Sequence, residues 1–248
     1  MLRELSAKTV LSRSRVLDYT VNPYVGCVHG CTYCYARFIK RFTGHREPWG
    51  GFVDVKINAA TLLQHEAATK KKRVGRVWMS GLCDPYQPVE KRYMLTRSCL
   101  EILSRHGWPV TIQTKSGLVL RDMDLLKGFK GLEVTFSIAT ADEGIRRLFE
   151  PNSPALAERF EALKKLHSEG VKTNAMIAPM LPGAEGLARE LRGKVDHVSI
   201  DRMNYHYADW VYRKHNLEYA LTEHFFAEKK RELNSAFDKE NIPCQLLF

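Results

Sequence analysis

Two patterns of apolar and polar positions alternate along most of this chain. Short stretches rich in β-branched and aromatic residues, bounded by turn residues, are typical of strands, and between them the apolar residues recur with helical spacing. This alternation predicts parallel βα units. Strands are predicted at residues 20–26, 76–80, 110–114, 132–139, 171–177 and 197–201, with an extra strand at 52–57. Helices are predicted at residues 59–68, 91–105, 121–127, 154–169, 186–191 and 217–238.

Six parallel units form either an open doubly wound sheet or a partial barrel, and the pattern by itself leaves both open. In either fold the functional residues gather at the C-terminal ends of the strands. No Pro/Gly/Ser-rich stretch divides the 248 residues. We therefore predict a single α/β domain over residues 1–248, with its core at about 20–201 and a helical extension at 202–248.

The chain is basic, with a formal net charge of +10 and a pI near 9.3. This charge favours an anionic partner, and leaves open a nucleic acid, a phosphorylated metabolite or an acidic protein. We interpret the densest run, residues 70–73, as a solvated turn between a helix and a strand. No apolar run approaches the ~20 residues that span a bilayer, so we expect a cytoplasmic protein without membrane contact.

Three of the six cysteines, Cys27, Cys31 and Cys34, lie within eight residues with the spacing C-x3-C-x2-C. Thiolates are the preferred ligands of iron–sulfur clusters, and three of them hold three irons of a cube while the fourth iron stays open to another ligand. A closed Cys3His zinc site is the alternative, with His29 or His45 as its fourth ligand. The cysteine pattern excludes a disulfide framework.

The segment around these cysteines resembles the hallmark of the radical S-adenosylmethionine (radical SAM) superfamily. That hallmark is C-x3-C-x2-C with an aromatic residue before the third cysteine, here Tyr33. The resemblance implies a 4Fe–4S cluster whose open iron chelates S-adenosylmethionine, and reductive cleavage of S-adenosylmethionine to a 5′-deoxyadenosyl radical. It also implies an external electron donor. The protein then supplies binding, orientation and exclusion of water.

Further motifs are similar to those of the spore photoproduct lyase-like group. That group contains the spore photoproduct lyases, which reverse a thymine dimer in DNA by radical chemistry, and many relatives that are described only as DNA-repair-photolyase-like. The resemblance extends from about residue 22 to residue 183 and implies a partial (β/α)6 barrel of the TIM type. Its motifs are DPYQPVE at 84–90, TKS at 114–116, FSI at 136–138, FEPNSP at 149–154 and IAP at 177–179.

By this resemblance, six residues are candidates for binding S-adenosylmethionine, and Tyr33 before the third cysteine is one of them. Lys115 and Ser137 stand at or near strand ends and match positions that contact it, and Asn174 is a candidate for its ribose. Ser80 and Gly81 follow the second strand, where the superfamily binds the amino group of the methionine part. A lysine that ends a strand on the surface is the structural alternative for Lys115, and backbone satisfaction is the alternative for Asn174.

Cys83 is a candidate hydrogen-atom donor, because a thiol S–H bond is weak enough to quench a carbon radical. The lyases carry their donor cysteine in a similar loop. When the motif that begins at Asp84 is aligned with theirs, Cys83 is offset by two positions from that donor cysteine. A small packing residue is the alternative for Cys83. For Cys99 and Cys244 we expect packing alone.

Three hypotheses for function follow. The first is a radical enzyme that acts on a nucleic-acid base or a DNA lesion, although spore photoproduct itself is not the expected substrate. The aromatic and basic segment 204–215 then stacks bases or, alternatively, packs the barrel mouth. The second is radical chemistry on a small molecule or peptide. The third is a non-catalytic iron–sulfur or zinc protein. The sequence does not determine the oligomeric state.

Overall fold

The computed structural model describes residues 1–69 and 74–248. The basic run at 70–73 lies outside the described residues. The strands are β1 (Leu2–Leu5), β2 (Leu11–Arg13), β3 (Tyr19–Val21), β4 (Tyr24–Val25), β5 (Val53–Lys56), β6 (Val77–Met79), β7 (Val110–Thr114), β8 (Leu132–Ser137), β9 (Thr173–Ile177), β10 (His197–Ile200) and β11 (Cys244–Leu246). The α-helices are α1 (Ala59–Thr69), α2 (Glu90–Tyr93), α3 (Leu95–Arg105), α4 (Met123–Leu126), α5 (Glu143–Phe149), α6 (Leu156–Ser168), α7 (Leu187–Leu191), α8 (Asp209–Lys214) and α9 (Glu223–Lys239).

The chain forms two compact units, which are Met1–His29 with Ala36–Val134, and Gly30–Tyr35 with Thr135–Phe248. In unit 1, β3, β6 and β7 are parallel neighbours and β2 joins β3 antiparallel. A second sheet has the order β1-β5-β4. Because β3, β6 and β7 are parallel, the segments that follow them leave from the same edge of the sheet.

The predicted strand 20–26 is two strands in different sheets. β3 pairs with β6, whereas β4 pairs antiparallel with β5. Pro23 lies between them and has no N–H to donate to a ladder, so the sheet cannot continue through it. The break directs the chain away from the parallel sheet just before Cys27.

The predicted helix 91–105 is also interrupted. It forms α2 and α3, separated by Met94 in the left-handed region at φ 51°. The helix α3 buries Leu100, Leu103 and Cys99 completely, so the packing role expected for Cys99 is consistent with its position.

In unit 2, the strand order is β8-β9-β10-β11, with β9, β10 and β11 parallel. The strand β8 begins in unit 1 and its last three residues belong to unit 2. Helix α6 buries Phe160, Leu163 and Leu166. Three elements of unit 2, namely α5, α8 and β11, were not predicted, and they are only three to seven residues long. Elements this short carry little periodicity.

Within residues 1–69 and 74–248, no helix combines the length and the apolar character needed to cross a membrane.

Candidate active site

The three clustered cysteines lie on a loop that starts directly after β4. Gly26 stands at its start with φ +85°, and a Cβ there would lie 2.5 Å from the backbone oxygen of Phe52. Only glycine meets both conditions without strain. Cys27 and Cys31 are buried and Cys34 is partly exposed. The glycine therefore sets the direction in which the thiol-bearing loop leaves the strand.

In unit 1, Gln87 holds the loop on both sides of Cys27. Its side-chain NH2 donates to the carbonyl oxygen of Gly26 at 3.0 Å, and its Oε1 accepts from the N–H of Val28 at 3.1 Å. Gln87 is fully buried. Both hydrogen bonds form in a site without water competition, so the amide fixes the backbone that carries Cys27.

Asp84 joins three segments of unit 1. Its carboxylate accepts from the hydroxyl of Thr114 at 2.7 Å and from the backbone N–H of Lys115 at 2.7 Å. One oxygen also lies 3.5 Å from Nδ1 of His29, inside the cysteine loop. A buried carboxylate needs such donors to offset its desolvation. Asp84 thereby fixes the end of β7, where Lys115 begins, relative to the loop residue His29.

In unit 2, the second half of the loop rests on the C-terminal end of α5. The backbone N–H of Thr32 donates to the carbonyl oxygen of Phe149 at 2.8 Å, and its hydroxyl donates to the same oxygen at 3.2 Å. The N–H of Cys34 donates to the carbonyl oxygen of Cys31 at 3.2 Å. These contacts close a tight turn around the last two cysteines.

Tyr33, between those cysteines, donates its hydroxyl to the carboxylate of Glu150. Burial, followed by the negative charge of Glu150, raises the pKa of Tyr33 well above its ordinary value. Glu150 also pairs with Arg159, and both are almost completely buried, at 1% and 0% exposed. Arg159 donates further to the carbonyl oxygens of Ser137 at 3.0 Å and Pro154 at 2.9 Å. A buried ion pair with this many partners fixes Tyr33 in one position.

Both histidines considered as a fourth zinc ligand lie against carboxylates. His45 has both ring nitrogens against carboxylates, Nε2 2.9 Å from Asp54 and Nδ1 3.1 Å from Glu47, and His29 faces Asp84. Across the described parts of the chain, no three His, Cys, Asp or Glu side chains form a group that could hold a metal ion. His45, with both ring nitrogens against carboxylates, is therefore a poor candidate for a fourth zinc ligand. A carboxylate on one ring nitrogen is compatible with metal binding through the other, so the contact with Asp84 does not exclude His29.

The segment after β6 contains three further candidates. The hydroxyl of Ser80 donates to Oδ1 of Asn22 at 2.6 Å, and the N–H of Leu82 donates to the same oxygen at 2.9 Å. A Cβ at Gly81 would lie 3.3 Å from Oγ1 of Thr20. Asn22 thus connects this turn to the end of β3, and Gly81 keeps the close approach open.

Cys83 lies in a mixed environment. Its Sγ is 3.2 Å from the hydroxyl of Ser80 and 3.6 Å from the carbonyl oxygen of Tyr24, and its side chain packs on Tyr24 and Leu95. Burial raises the pKa of the Cys83 thiol to about 12. At neutral pH the group is therefore S–H, the form that can donate a hydrogen atom, although the packing alternative also matches these contacts.

Ser137 and Asn174 both belong to unit 2. Alternate residues of a strand share a face, so Ser137 is on the face of β8 that also carries Thr135. The amide NH2 of Asn174 lies 3.4 Å from the hydroxyls of Thr135 and Ser199. Its Oδ1 is buried and has no hydrogen-bond partner among the described residues. This buried acceptor is unused within the described part of the chain, and a ribose hydroxyl is a donor of the kind that would satisfy it.

A family model described as the radical SAM superfamily matches residues 21–185. The chain belongs to the radical SAM superfamily. This membership implies an iron–sulfur cluster and S-adenosylmethionine as cofactors. Among curated proteins, this radical SAM chain is 36% identical over 181 residues to the uncharacterized protein MJ0683 of Methanocaldococcus jannaschii, covering 72% of the chain and 67% of that protein.

A second relative is the uncharacterized protein Rv2578c of Mycobacterium tuberculosis, 34% identical over 170 residues, covering 66% of the radical SAM chain. The match spans 50% of the mycobacterial protein, so the chain corresponds to about half of that relative's length.

Solved structures of spore photoproduct lyase share the fold. The lyase complexed with dinucleoside spore photoproduct has a TM-score of 0.70 at 15% identity, covering 100% of this chain and 82% of the lyase. A lyase mutant with bound S-adenosylmethionine and the dinucleoside has the same TM-score and coverage. At this identity the likeness shows the fold alone. It confirms the predicted α/β class with the partial barrel of the radical SAM type.

Four residues that fix the cysteine loop were not among the predicted site residues, namely Asp84, Gln87, Glu150 and Arg159. Three of them lie inside the motifs DPYQPVE and FEPNSP. Those motifs were recognised only as marks of a family. Polar residues among prolines and aromatics, in segments that follow apolar stretches, could have identified them as buried hydrogen-bonding groups. Arg159 carries no such signal, because it lies in an amphipathic helix where arginine is usually solvated.

Proposed function

We propose that this protein holds a 4Fe–4S cluster on Cys27, Cys31 and Cys34 and uses it to act on a nucleic-acid base or DNA lesion through a 5′-deoxyadenosyl radical. When bound, the cluster supplies one electron to S-adenosylmethionine, whose cleavage yields methionine and the radical. The observation that carries the proposal is the fixation of both halves of the cysteine loop by buried side chains.

The chain's own residues perform binding and orientation. Gln87 fixes the backbone around Cys27, and Glu150 with Arg159 fixes Tyr33 between the other two thiols. Such supporting contacts orient metal ligands and tune the metal. Apolar burial around Cys27 and Cys31 limits the access of water.

Other residues of the chain provide polar groups for S-adenosylmethionine. Ser80 and Gly81 bind its amino group, and Lys115 binds its carboxylate, since a lysine ammonium and a carboxylate have opposite charges. Ser137 and Asn174 bind the nucleoside part, and the unpartnered Oδ1 of Asn174 accepts from a ribose hydroxyl. Cys83, held as a thiol by its raised pKa, would give its S–H hydrogen atom to the product radical and become a thiyl radical, which one electron from the external donor and one proton return to the thiol.

Support for a nucleic-acid substrate comes from an aromatic group in unit 2. The rings of Tyr205 and Tyr207 are stacked with centroids 5.8 Å apart and planes 8° apart, and Tyr35 stacks on Tyr205 at 6.3 Å. Tyr205 is 48% exposed and Trp210 is 54% exposed. Exposed aromatic faces bind unpaired bases by stacking. The net charge of +10 attracts the phosphates of a nucleic acid. A base flipped out of a duplex is the form that fits such a surface.

The test is anaerobic reconstitution and reduction, followed by quantification of 5′-deoxyadenosine formed from S-adenosylmethionine. Wild type is compared with Cys31→Ala and with the control Cys244→Ala. Production that is lost only in Cys31→Ala supports radical chemistry. A fully loaded cluster without any production overturns it in favour of a non-catalytic metal protein.

The substrate requires a second measurement. Binding of irradiated and untreated single-stranded DNA is followed at rising salt, with Tyr205→Ala as the variant and Tyr219→Ala, also exposed, as the control. Salt-sensitive binding that Tyr205→Ala weakens supports the nucleic-acid substrate. Production of 5′-deoxyadenosine without DNA binding transfers the proposal to a small-molecule or peptide substrate.

A further inference from the structure

The segment directly after Cys34 is basic and exposes two phenylalanines. It forms a 3-10 helix, Tyr35–Phe42, in which only Ala36 is buried. Phe42 is 76% exposed and Phe38 is 39% exposed. Single exposed apolar residues are common, but here two large ones lie within one helix of eight residues.

The charge of this segment has one sign. Residues 35–46 contain Arg37, Lys40, Arg41 and Arg46 and no Asp or Glu, and the nearest acid before them is Asp18. The next acid, Glu47, lies 3.1 Å from a ring nitrogen of His45. The segment therefore presents positive charge around exposed phenylalanines, which is the composition of a protein-docking surface for an acidic partner.

The position of the segment restricts what that partner does. A 3-10 helix rises about 2 Å per residue, so the eight residues of Tyr35–Phe42 span about 16 Å from the peptide bond that joins Tyr35 to Cys34. Cleavage of S-adenosylmethionine consumes one electron, which must come from outside the cluster in each reductive event. An electron-transfer protein that docks on this helix brings its redox group close to a proposed cluster ligand.

We propose that residues 35–46 form the docking surface for an acidic electron-transfer protein that carries a flavin or an iron–sulfur cluster. The partner gives one electron to the oxidised cluster and is itself oxidised by one electron. Arg41 and Arg46 attract the partner, and Phe42 packs against it. This inference rests on the proposed function, since it names the electron source of that site.

The experiment measures cluster reduction by stopped-flow absorbance after mixing with a reduced plant-type ferredoxin, a low-potential one-electron donor. The variants are Arg41→Glu/Arg46→Glu and Phe42→Ala. At low salt we expect the charge reversal to lower the second-order rate constant by about 10–100-fold, because steering enhances association by factors of this size. The difference shrinks as salt screens it. Phe42→Ala slows reduction at every salt concentration.

A matched control reverses two exposed charges elsewhere, as Lys8→Glu/Lys164→Glu, which changes the net charge equally. Equal rate constants for the two double variants overturn the proposal. Loss of DNA affinity in Arg41→Glu/Arg46→Glu with unchanged ferredoxin reduction also overturns it and assigns the surface to nucleic acid.

Reduced methyl viologen, a small cationic donor, separates this inference from the proposed function. With viologen, all variants should reduce their cluster and form 5′-deoxyadenosine at the wild-type rate. No 5′-deoxyadenosine from any variant contradicts the proposed function, while the ferredoxin rates still decide the docking surface.

Discussion

Arg159→Met removes the buried guanidinium that neutralises Glu150. The methionine keeps much of the side-chain volume, so the loss is mainly of charge and hydrogen bonds. Glu150 then remains buried with its contacts to Tyr33 and Ser153, and the carbonyl oxygens of Ser137 and Pro154 each lose a donor. The perturbation therefore acts on the network that holds the second half of the cysteine loop.

The size of the effect follows from that geometry. Removing one partner of a buried ion pair costs about 3–5 kcal/mol of the free energy of unfolding, because an unpaired charge stays in the interior. The unfulfilled carbonyls place Arg159→Met in the upper part of that range. With a urea m-value of about 2–3 kcal/mol/M, the midpoint of unfolding should fall by about 1–2 M.

The assay is urea unfolding of the metal-free protein, followed by tyrosine and tryptophan fluorescence. Lys164→Met on the same helix, where the lysine is exposed, serves as the matched control and should shift the midpoint little. The double variant Glu150→Gln/Arg159→Met should recover part of the loss, since no unpaired charge remains. A midpoint for Arg159→Met equal to that of the control would refute the reasoning, as would a double variant less stable than Arg159→Met.

Three further predictions concern side chains of unit 1 and the isolated cysteines. Gln87→Ala should weaken retention of the reconstituted cluster about 10–100-fold in a chelator competition, because supporting contacts of metal ligands have effects of this size. Gln87→Glu keeps the acceptor for Val28 but loses the donor to Gly26, so its retention should lie between those of the wild type and Gln87→Ala. Wild-type retention in Gln87→Ala contradicts the assigned role. Cys83 should resist alkylation by iodoacetamide at pH 7–8, because a pKa of about 12 makes its thiolate on the order of 10³-fold scarcer than that of an ordinary cysteine. Peptide mass spectrometry of the native and the urea-unfolded protein measures the labelling. Rapid labelling of Cys83 in the native protein would disprove the pKa shift. Cys99→Ala and Cys244→Ala should retain the full iron and sulfide content, and loss of cluster in either variant would give that cysteine a role beyond packing.

The sequence could predict the α/β class and most regular elements, because those depend on local periodicity. It could not predict the break at Pro23 as a change of sheet, since that depends on which strand pairs with which. The interruption at Met94 could not be predicted either, because methionine is a good helix former and no local signal marks it as a break.

The three thiols were predicted as cluster ligands from the sequence alone, because three cysteines within eight residues have the spacing and chemistry of an iron–sulfur site. Only the tertiary structure decided what holds them. Gln87 is 60 residues from Cys27 along the chain, and Glu150 is 117 residues from Tyr33. Contacts at such separations leave no periodic trace in the sequence, because they form only when buried polar groups must find partners in the folded interior. The tertiary structure also argues against His45 as a metal ligand, since both of its ring nitrogens face carboxylates that the spacing of the histidines does not reveal.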